Sequence, residues 1–233
     1  TGSILGPETV KIRDEQTSAA VQARVRALVG KIMTVETAVQ IALLNNRALQ
    51  AAYNDLGISE VEMIQASLPP TPSIALSRLV ATGQIEIERQ LLQNVLGLLT
   101  LPRRREIAED RFRKDQAVAV DATLKVAAEA RRAYIKAVAA EQAVSFLEEA
   151  RTSAEAVSEL AKNLGQTGAM PKLDQAREHV FYAEVSGQLA LARLKARIAR
   201  ENLARALGLW GADTKYLLSG KLKPLPSSPK KQD

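Results

Sequence analysis

The sequence has no cysteine and only one histidine, His179. The absence of cysteine excludes disulfide bonds and thiolate metal sites, and a single histidine without clustered carboxylates cannot provide a metal site by itself. No stretch approaches the roughly 20 apolar residues of a transmembrane helix. We therefore predict no metal site and interpret His179 as an ordinary residue on the surface of a helix.

The sequence also lacks a recognisable catalytic arrangement. Its carboxylates are numerous, but they follow the polar faces of the predicted helices, and nothing resembles a pair of nucleophile and general base. We predict a protein that is not an enzyme and that has no catalytic residues and no cofactor.

Aromatic residues make up only 3% of the chain, although 46% of it is hydrophobic. The apolar residues are mainly alanine, leucine and valine, which suit closely packed helices. The net charge of +6 would permit nucleic-acid binding, but the only dense basic run, Arg103–Arg105, has no aromatic platform or known motif beside it. We interpret this run as a solvated face and expect no nucleic-acid partner.

The segment from Thr34 to Ala66 predicts the first long helix. Thr34 is a suitable N-cap, and positions spaced by three and four residues form a largely apolar seam, as in coiled coils. The helix has to end at "SLPPTP", because three prolines in four positions cannot continue it. The seam consists of Val35, Ala38, Ala42, Asn45, Leu49, Ala52, Leu56, Ser59, Met63 and Ala66.

After the prolines the apolar period becomes that of a strand. "SIALSRLVATGQIEIER" has apolar residues at alternate positions on either side of Ala81–Gln84, which predicts a β-hairpin with its loop there. The candidate membrane residues of the hairpin are Ile74, Leu76, Ile85 and Ile87. The next segment, Leu91–Leu101, is compatible with a continued strand or with a helix.

Two further helices account for most of the remaining chain, a very long one, Arg103–Leu164, and a returning one, Pro171–Leu207. The segment "NLGQTGAMPKLDQ" between them contains two glycines and a proline and predicts one sharp turn, and Gly208 ends the second helix. Alanine dominates the seam of the long helix, so a neighbouring helix can approach closely. That seam consists of Val126, Ala130, Ala133, Ala137, Ala140, Ala143, Leu147, Ala150, Ala154, Val157, Ala161 and Leu164.

The returning helix carries two apolar stripes. A helix in a simple two-stranded hairpin needs one seam, so two stripes predict neighbours on two sides, as in a bundle or in a curved wall of helices. The first stripe is Leu173, Ala176, Val180, Ala183, Gly187, Ala190 and Leu194. The second is Phe181, Val185, Leu189, Ala192, Ala196, Ala199, Leu203 and Ala206.

The helix lengths favour a wall. At 1.5 Å per residue the long helix would span roughly 95 Å, the first about 50 Å and the last about 54 Å. The two shorter helices together match the long one, and we expect them to lie end to end beside it. A globular bundle has no use for so long a helix, whereas the wall of a tube does.

Five segments resemble the TolC-like outer-membrane efflux factor family, and most closely its heavy-metal and copper export branch. They occur in the family's order between Thr34 and Gly211. The segments are "AVQIALLNNRALQAAY", "SLPPTPSIAL", "LTLPRRREIAEDRF", "AEARRAYIKAVAAEQ" and "ENLARALGLWG".

The resemblance implies a mainly α fold of long antiparallel coiled-coil helices with one short β-hairpin, which is one TolC-like repeat. It implies a homo-oligomeric tube whose hairpins lie in the outer membrane, while the helices cross the periplasm and contact a periplasmic adaptor protein of an inner-membrane pump. The far turn would dock the adaptor, and Asp174 would cap and charge the returning helix. The docking residues would be Leu164, Gly165, Gly168, Leu173 and Asp174.

Two readings of the whole chain remain open at this stage. The first is a passive conduit component of a tripartite exporter, and the second is a soluble helical structural or interaction protein that binds partner helices. Family members usually carry two repeats and this sequence holds one, so it is either half of a longer protein or a single-repeat form that needs twice as many subunits to close a tube. We predict an N-terminal arm with one short helix at 1–33, the repeat at 34–211, and a linker or tail at 212–233.

Overall fold

A computed structural model describes residues 15–81, 84–92 and 94–222, and for 76–81, 84–92 and Ala212 it describes the backbone alone. The helices in that part of the chain are α1 (Glu15–Val29), α2 (Val35–Asn45), α3 (Arg47–Ser67), α4 (Val95–Leu99), α5 (Leu101–Gln166) and α6 (Lys172–Ala206). The strands are β1 (Ile32–Met33), β2 (Ser73–Ala81), β3 (Gln84–Leu92) and β4 (Leu217–Leu218), and a 3₁₀ turn spans Gly211–Thr214. The predicted mainly α fold with one β-hairpin is confirmed.

The chain divides into two compact units. One unit combines Thr1–Arg47 with Leu124–Asp233, and the other is Ala48–Thr123. The domain division at 1–33, 34–211 and 212–233 stays a prediction. Residues 1–14 of the predicted arm and 223–233 of the predicted tail lie outside the described residues.

The unit that contains both chain ends has its core where α1, α2, α5 and α6 meet. The buried hydroxyl of Tyr134 in α5 donates a hydrogen bond to the carbonyl of Met33 at 3.0 Å. This bond ties the segment around β1 to the long helix. It also gives the buried tyrosine hydroxyl a hydrogen-bond partner, as buried polar groups require. The buried side chains of this core include Met33, Ile41, Leu44, Tyr134, Val138, Leu203, Leu207, Leu209 and Tyr216.

The segment after α6 folds back onto the same core. Leu217 and Leu218 pair in parallel with Ile32 and Met33, so β1 and β4 form a two-stranded sheet. The Tyr216 hydroxyl donates to the carbonyl of Arg200 at 2.7 Å. The Arg200 guanidinium lies 4.8 Å from the centre of the Tyr216 ring.

The Ala48–Thr123 unit joins α3 to the first part of α5. The Tyr53 hydroxyl lies 3.1 Å from the hydroxyl of Thr123, and Ser59 donates to the Asp115 carboxylate at 2.6 Å. In the hairpin, nine residues of β2 pair with nine of β3 in antiparallel register. The pairing extends to Ala81 and Gln84, which were predicted to lie in the loop, and Thr82 and Gly83 lie outside the described residues.

The prediction of one uninterrupted first helix is wrong. The helix stops at Asn45 and restarts at Arg47, because Asn46 has an extended ψ of 114° that no α-helix accommodates. The Asn45 side-chain amide donates to the carbonyl of Gly208 at 2.7 Å, so the end of α2 is anchored to the end of α6. The N-cap prediction is confirmed, because the Thr34 hydroxyl accepts from the Thr37 amide at 3.2 Å.

The ambiguous segment Leu91–Leu101 contains both kinds of structure. Strand β3 continues to Leu92, α4 begins at Val95, and α5 begins at Leu101. Within the described part of the chain, none of the helices is long and apolar enough to cross a membrane.

Candidate functional site

The turn between α5 and α6 has a defined hydrogen-bonded geometry. Gly168 has a φ of 77°, a left-handed conformation that glycine adopts at little cost. The Ala169 amide donates to the Leu164 carbonyl at 2.8 Å, and the Gly168 amide donates to the Gly165 carbonyl at 3.2 Å. This pair of bonds is the Schellman motif, which satisfies the last carbonyls of a helix. The turn therefore has a well-defined backbone.

Gly165 leaves room for a side chain of α6. A Cβ atom at this position would overlap the side-chain amide of Gln175. That amide donates to the Met170 carbonyl at 2.9 Å, so Gln175 closes the turn from the α6 side. A larger residue at position 165 would therefore displace the Gln175 side chain.

The predicted capping role of Asp174 is wrong. The N-cap of α6 is Pro171, with no hydrogen bond from a side chain to the helix end. Asp174 lies in the first turn, where a negative charge favours the positive end of the helix dipole, and it accepts from Arg177 at 3.2 Å. Leu164 and Leu173 are exposed on either side of the turn. The docking role of the five turn residues stays a prediction.

The two predicted stripes of α6 differ in burial within the single chain. In the second stripe Val185, Leu189, Ala192 and Leu203 are buried, while Phe181 is exposed. In the first stripe every residue is exposed, with Leu173 at 63% and Val180 at 66%. A groove of about 420 Å³ on this exposed side is lined by Leu173, Ala176, Arg177, Val180, Phe181 and Glu184.

Sequence reasoning recognised only part of a matching exposed line on α5, because it placed Val157 and Leu164 in the packed alanine seam, whereas both are exposed. Its members are separated by 11, 11, three and four residues, a spacing that keeps them on one side of a helix. The alanine seam dominates the sequence pattern of α5, so this sparser line did not stand out. The line consists of Ile135, Phe146, Val157, Leu160 and Leu164.

Polar contacts between α5 and α6 were also missed. Arg193 donates to Glu148 at 2.8 Å, and Arg200 donates to Glu141 at 2.6 Å. Their sequence separations of 45 and 59 residues gave no local signal. They become visible only once the pairing of the two helices is known.

Closer to the turn, two more contacts hold the helices together. Arg151 donates to the Tyr182 hydroxyl at 3.2 Å, and the buried Ser158 hydroxyl hydrogen-bonds to His179 Nδ1. His179 is exposed, as predicted. Among the described residues no group of three or more His, Cys, Asp or Glu side chains could hold a metal ion.

The predicted membrane residues of the hairpin are placed by the backbone register. Ile74 pairs with Leu91 and Leu76 with Arg89, while Ile85 pairs with Val80 and Ile87 with Arg78. Ile74 is exposed; the side chains of Leu76, Ile85 and Ile87 lie outside the described residues. Their role stays a prediction.

Comparison with solved structures identifies the fold. No protein-family model matches the sequence, and no curated protein matches it. The structure is similar to that of a membrane protein from Pseudomonas aeruginosa, with a TM-score of 0.63, 16% identity, and coverage of 77% of this chain and 45% of that one.

Two named proteins also match. The similarity to CusC, from a study of folding and transmembrane channel formation, has a TM-score of 0.67 at 14% identity and covers 86% of this chain and 50% of that one. The similarity to the Campylobacter jejuni CmeC outer membrane channel has a TM-score of 0.54 at 16% identity and covers 89% and 45%. The chain thus spans about half the length of the chains that it matches. The resemblance to TolC-like channels is confirmed for the fold, as one repeat.

Proposed function

We propose that this chain is a passive component of an outer-membrane and periplasmic conduit in a tripartite efflux system. It performs no catalysis, and solutes move through a water-filled lumen that several copies enclose. The observation that carries the proposal is the apolar stripe from Leu173 to Leu194, which a single chain leaves exposed along α6. The channel fold of the similar structures supports it, and heavy-metal export is suggested by the family branch that the sequence resembles.

The exposed apolar stripe favours a partner surface that packs along its whole length. Burying a leucine or valine side chain contributes about 1.5 to 3 kcal/mol, so a stripe of this kind favours association. The apolar line on α5 offers a complementary surface on a second copy. Packing α6 of one copy against α5 of the next is a head-to-tail contact, which closes into a ring when the rotation permits.

The turn is the proposed docking site for the periplasmic adaptor, which in turn contacts the inner-membrane pump. Leu164 and Leu173 present apolar side chains beside the turn, Gly168 adopts its left-handed backbone, and Gly165 leaves room for the Gln175 side chain. Asp174 adds a negative charge at the same end. A rigid turn with exposed leucines loses little conformational entropy on binding.

The hairpin is the proposed membrane element, through Ile74, Leu76, Ile85 and Ile87. Its strands of nine residues are at the lower limit for crossing a bilayer. This element would place the chain in the outer membrane, with its helices in the periplasm.

The decisive test is a charge placed in the exposed stripe. We expect Val180→Glu to leave the fold unchanged, because position 180 is exposed in the single chain, and to abolish rings. Gln188→Glu is a control on the same helix outside the stripe. Light scattering after size exclusion and electron microscopy would report the oligomer. A parent protein that is strictly monomeric under all membrane-extraction conditions would contradict the proposal.

The alternative function is a soluble helical structural or interaction protein that binds partner helices through the same stripe. The hairpin distinguishes the two. The conduit predicts that the hairpin is protected from protease in outer-membrane vesicles, whereas the interaction protein predicts that it is cleaved.

A further inference from the structure

The short helix α4 exposes an apolar surface that the conduit role leaves unexplained. Four of its five residues are leucine or valine, and none of them is buried. Leu96 is 70% and Leu99 is 75% exposed. A helix of this length does not form by itself in water, so its neighbours have to hold it in place.

Contacts on one side of α4 hold it in this conformation. The Asn94 side chain accepts from the Gly97 amide at 2.7 Å as an N-cap, and Arg104 donates to the Gly97 carbonyl at 3.3 Å. A Cβ atom on Gly97 would lie 3.1 Å from Cγ of Pro70, so α4 lies close to the segment before β2. Leu68 in that segment is exposed as well. The leucines are thus held outward from a fixed helix.

Basic residues adjoin this surface directly. The start of α5 exposes three consecutive arginines, Arg103, Arg104 and Arg105. The segment 103–114 contains six basic and three acidic residues, for a net charge of +3. Arg103 pairs with Glu106 at 2.5 Å and Arg105 with Glu109 at 2.8 Å. Exposed pairs of this kind hold their partners weakly, so the arginines remain able to contact an anionic surface.

We propose that α4 and Arg103–Arg105 form an interfacial anchor for an anionic lipid surface. Apolar side chains next to a basic cluster are the combination that binds the boundary between headgroups and acyl chains. The site adjoins β3, which ends at Leu92, and this anchor rests on the proposed membrane role of the hairpin. The leucines enter the bilayer boundary, and the arginines contact lipid phosphates.

The test is co-sedimentation of the whole chain with vesicles of phosphatidylcholine alone or mixed with phosphatidylglycerol. We expect Leu96→Ser with Leu99→Ser, and separately Arg103→Gln with Arg105→Gln, to weaken binding to the anionic vesicles by roughly tenfold or more. Matched controls make the same changes at exposed positions of the other unit. They are Leu124→Ser with Leu191→Ser, and Arg131→Gln with Arg197→Gln.

An unchanged affinity in both α4 and arginine variants would overturn the anchor, and so would an equal loss in the controls. A loss of oligomer mass in the α4 variant without a loss of lipid binding would also overturn it, because a second copy would then cover the leucines. Circular dichroism verifies that each variant is folded. The conduit fails separately, by the absence of rings in the parent protein, while the anchor fails by unchanged lipid binding with rings intact.

Discussion

Both the backbone conformation and a close neighbour favour glycine at position 208, at the end of α6. Its φ is 68°, and a Cβ atom would lie 2.8 Å from the backbone oxygen of Asn45. Gly211 has a similar φ of 63° but open space around it. We expect Gly211→Ala to cost about 1 kcal/mol for the left-handed backbone, and Gly208→Ala to cost about 2 to 4 kcal/mol because it also forces the α2 end away.

Urea denaturation of both variants, followed by circular dichroism, measures the difference. Equal losses would show that the approach of Asn45 to Gly208 contributes nothing beyond the backbone conformation. Gly208 was predictable as the helix end, since glycine commonly follows a helix. Its contact with Asn45 was not, because the two residues are far apart in the sequence.

Tyr216 makes stability depend on pH in the alkaline range. Burial raises the pKa of Tyr216 to about 12, with Arg200 opposing this and Glu201 and Glu141 adding to it. The unfolded chain has a tyrosine pKa of about 10, so the folded state holds the proton more tightly. This contribution is therefore fully present below about pH 10 and is lost as the pH rises through about 12.

An absorbance titration of tyrosinate should show one tyrosine that ionises well above the ordinary pKa of about 10. The free energy of unfolding should fall between pH 10 and 12 more in the parent protein than in Tyr216→Phe. The variant itself should lose about 1 kcal/mol at neutral pH, because the hydrogen bond to the Arg200 carbonyl is removed. An identical alkaline decline in both proteins would contradict this assignment.

At the scale of elements, close packing of α5 depends on its buried alanines. Ala137 is 1% exposed within the core, whereas Ala139 on the same helix is exposed. We expect Ala137→Leu to lower the free energy of unfolding by about 1 to 3 kcal/mol, since a larger side chain has no room there. Ala139→Leu should change it by less than about 0.5 kcal/mol. Urea unfolding measures both, and a neutral Ala137→Leu would show that the core has spare volume.

The boundaries of α5 and α6 were predictable from their sequence to within two residues, because glycine and proline mark helix ends strongly. The interruption at Asn46 was not predictable in this way. Asparagine in a helix is only mildly unfavourable, and the apolar seam continues across it from Ala42 to Leu49. At this break the end of α2 is anchored to the end of α6 by Asn45. This contact is long-range, so the local sequence pattern does not reveal it.

For the whole molecule, sequence reasoning identified the apolar faces but not which of them the chain itself covers. Two stripes on α6 implied two neighbours, and the structure assigns one of them to α5 through contacts such as Arg193 with Glu148. The other stripe stays exposed, from Leu173 to Leu194. The distinction depends on tertiary pairing, and the two stripes look alike in composition. The stripe that stays exposed therefore locates the proposed contact between copies.

Assembly and membrane attachment should be separable, because the exposed stripes of α5 and α6 lie in one unit and the hairpin in the other. We expect replacement of Ser73–Leu92 by a glycine and serine linker to leave the ring intact, since Val180 and Phe146 remain in place. The same change should remove the protease-protected hairpin fragment from membranes. Light scattering and electron microscopy report the ring, and proteolysis reports the attachment. A monomeric product that is still folded would mean that the hairpins, rather than the helical stripes, drive assembly.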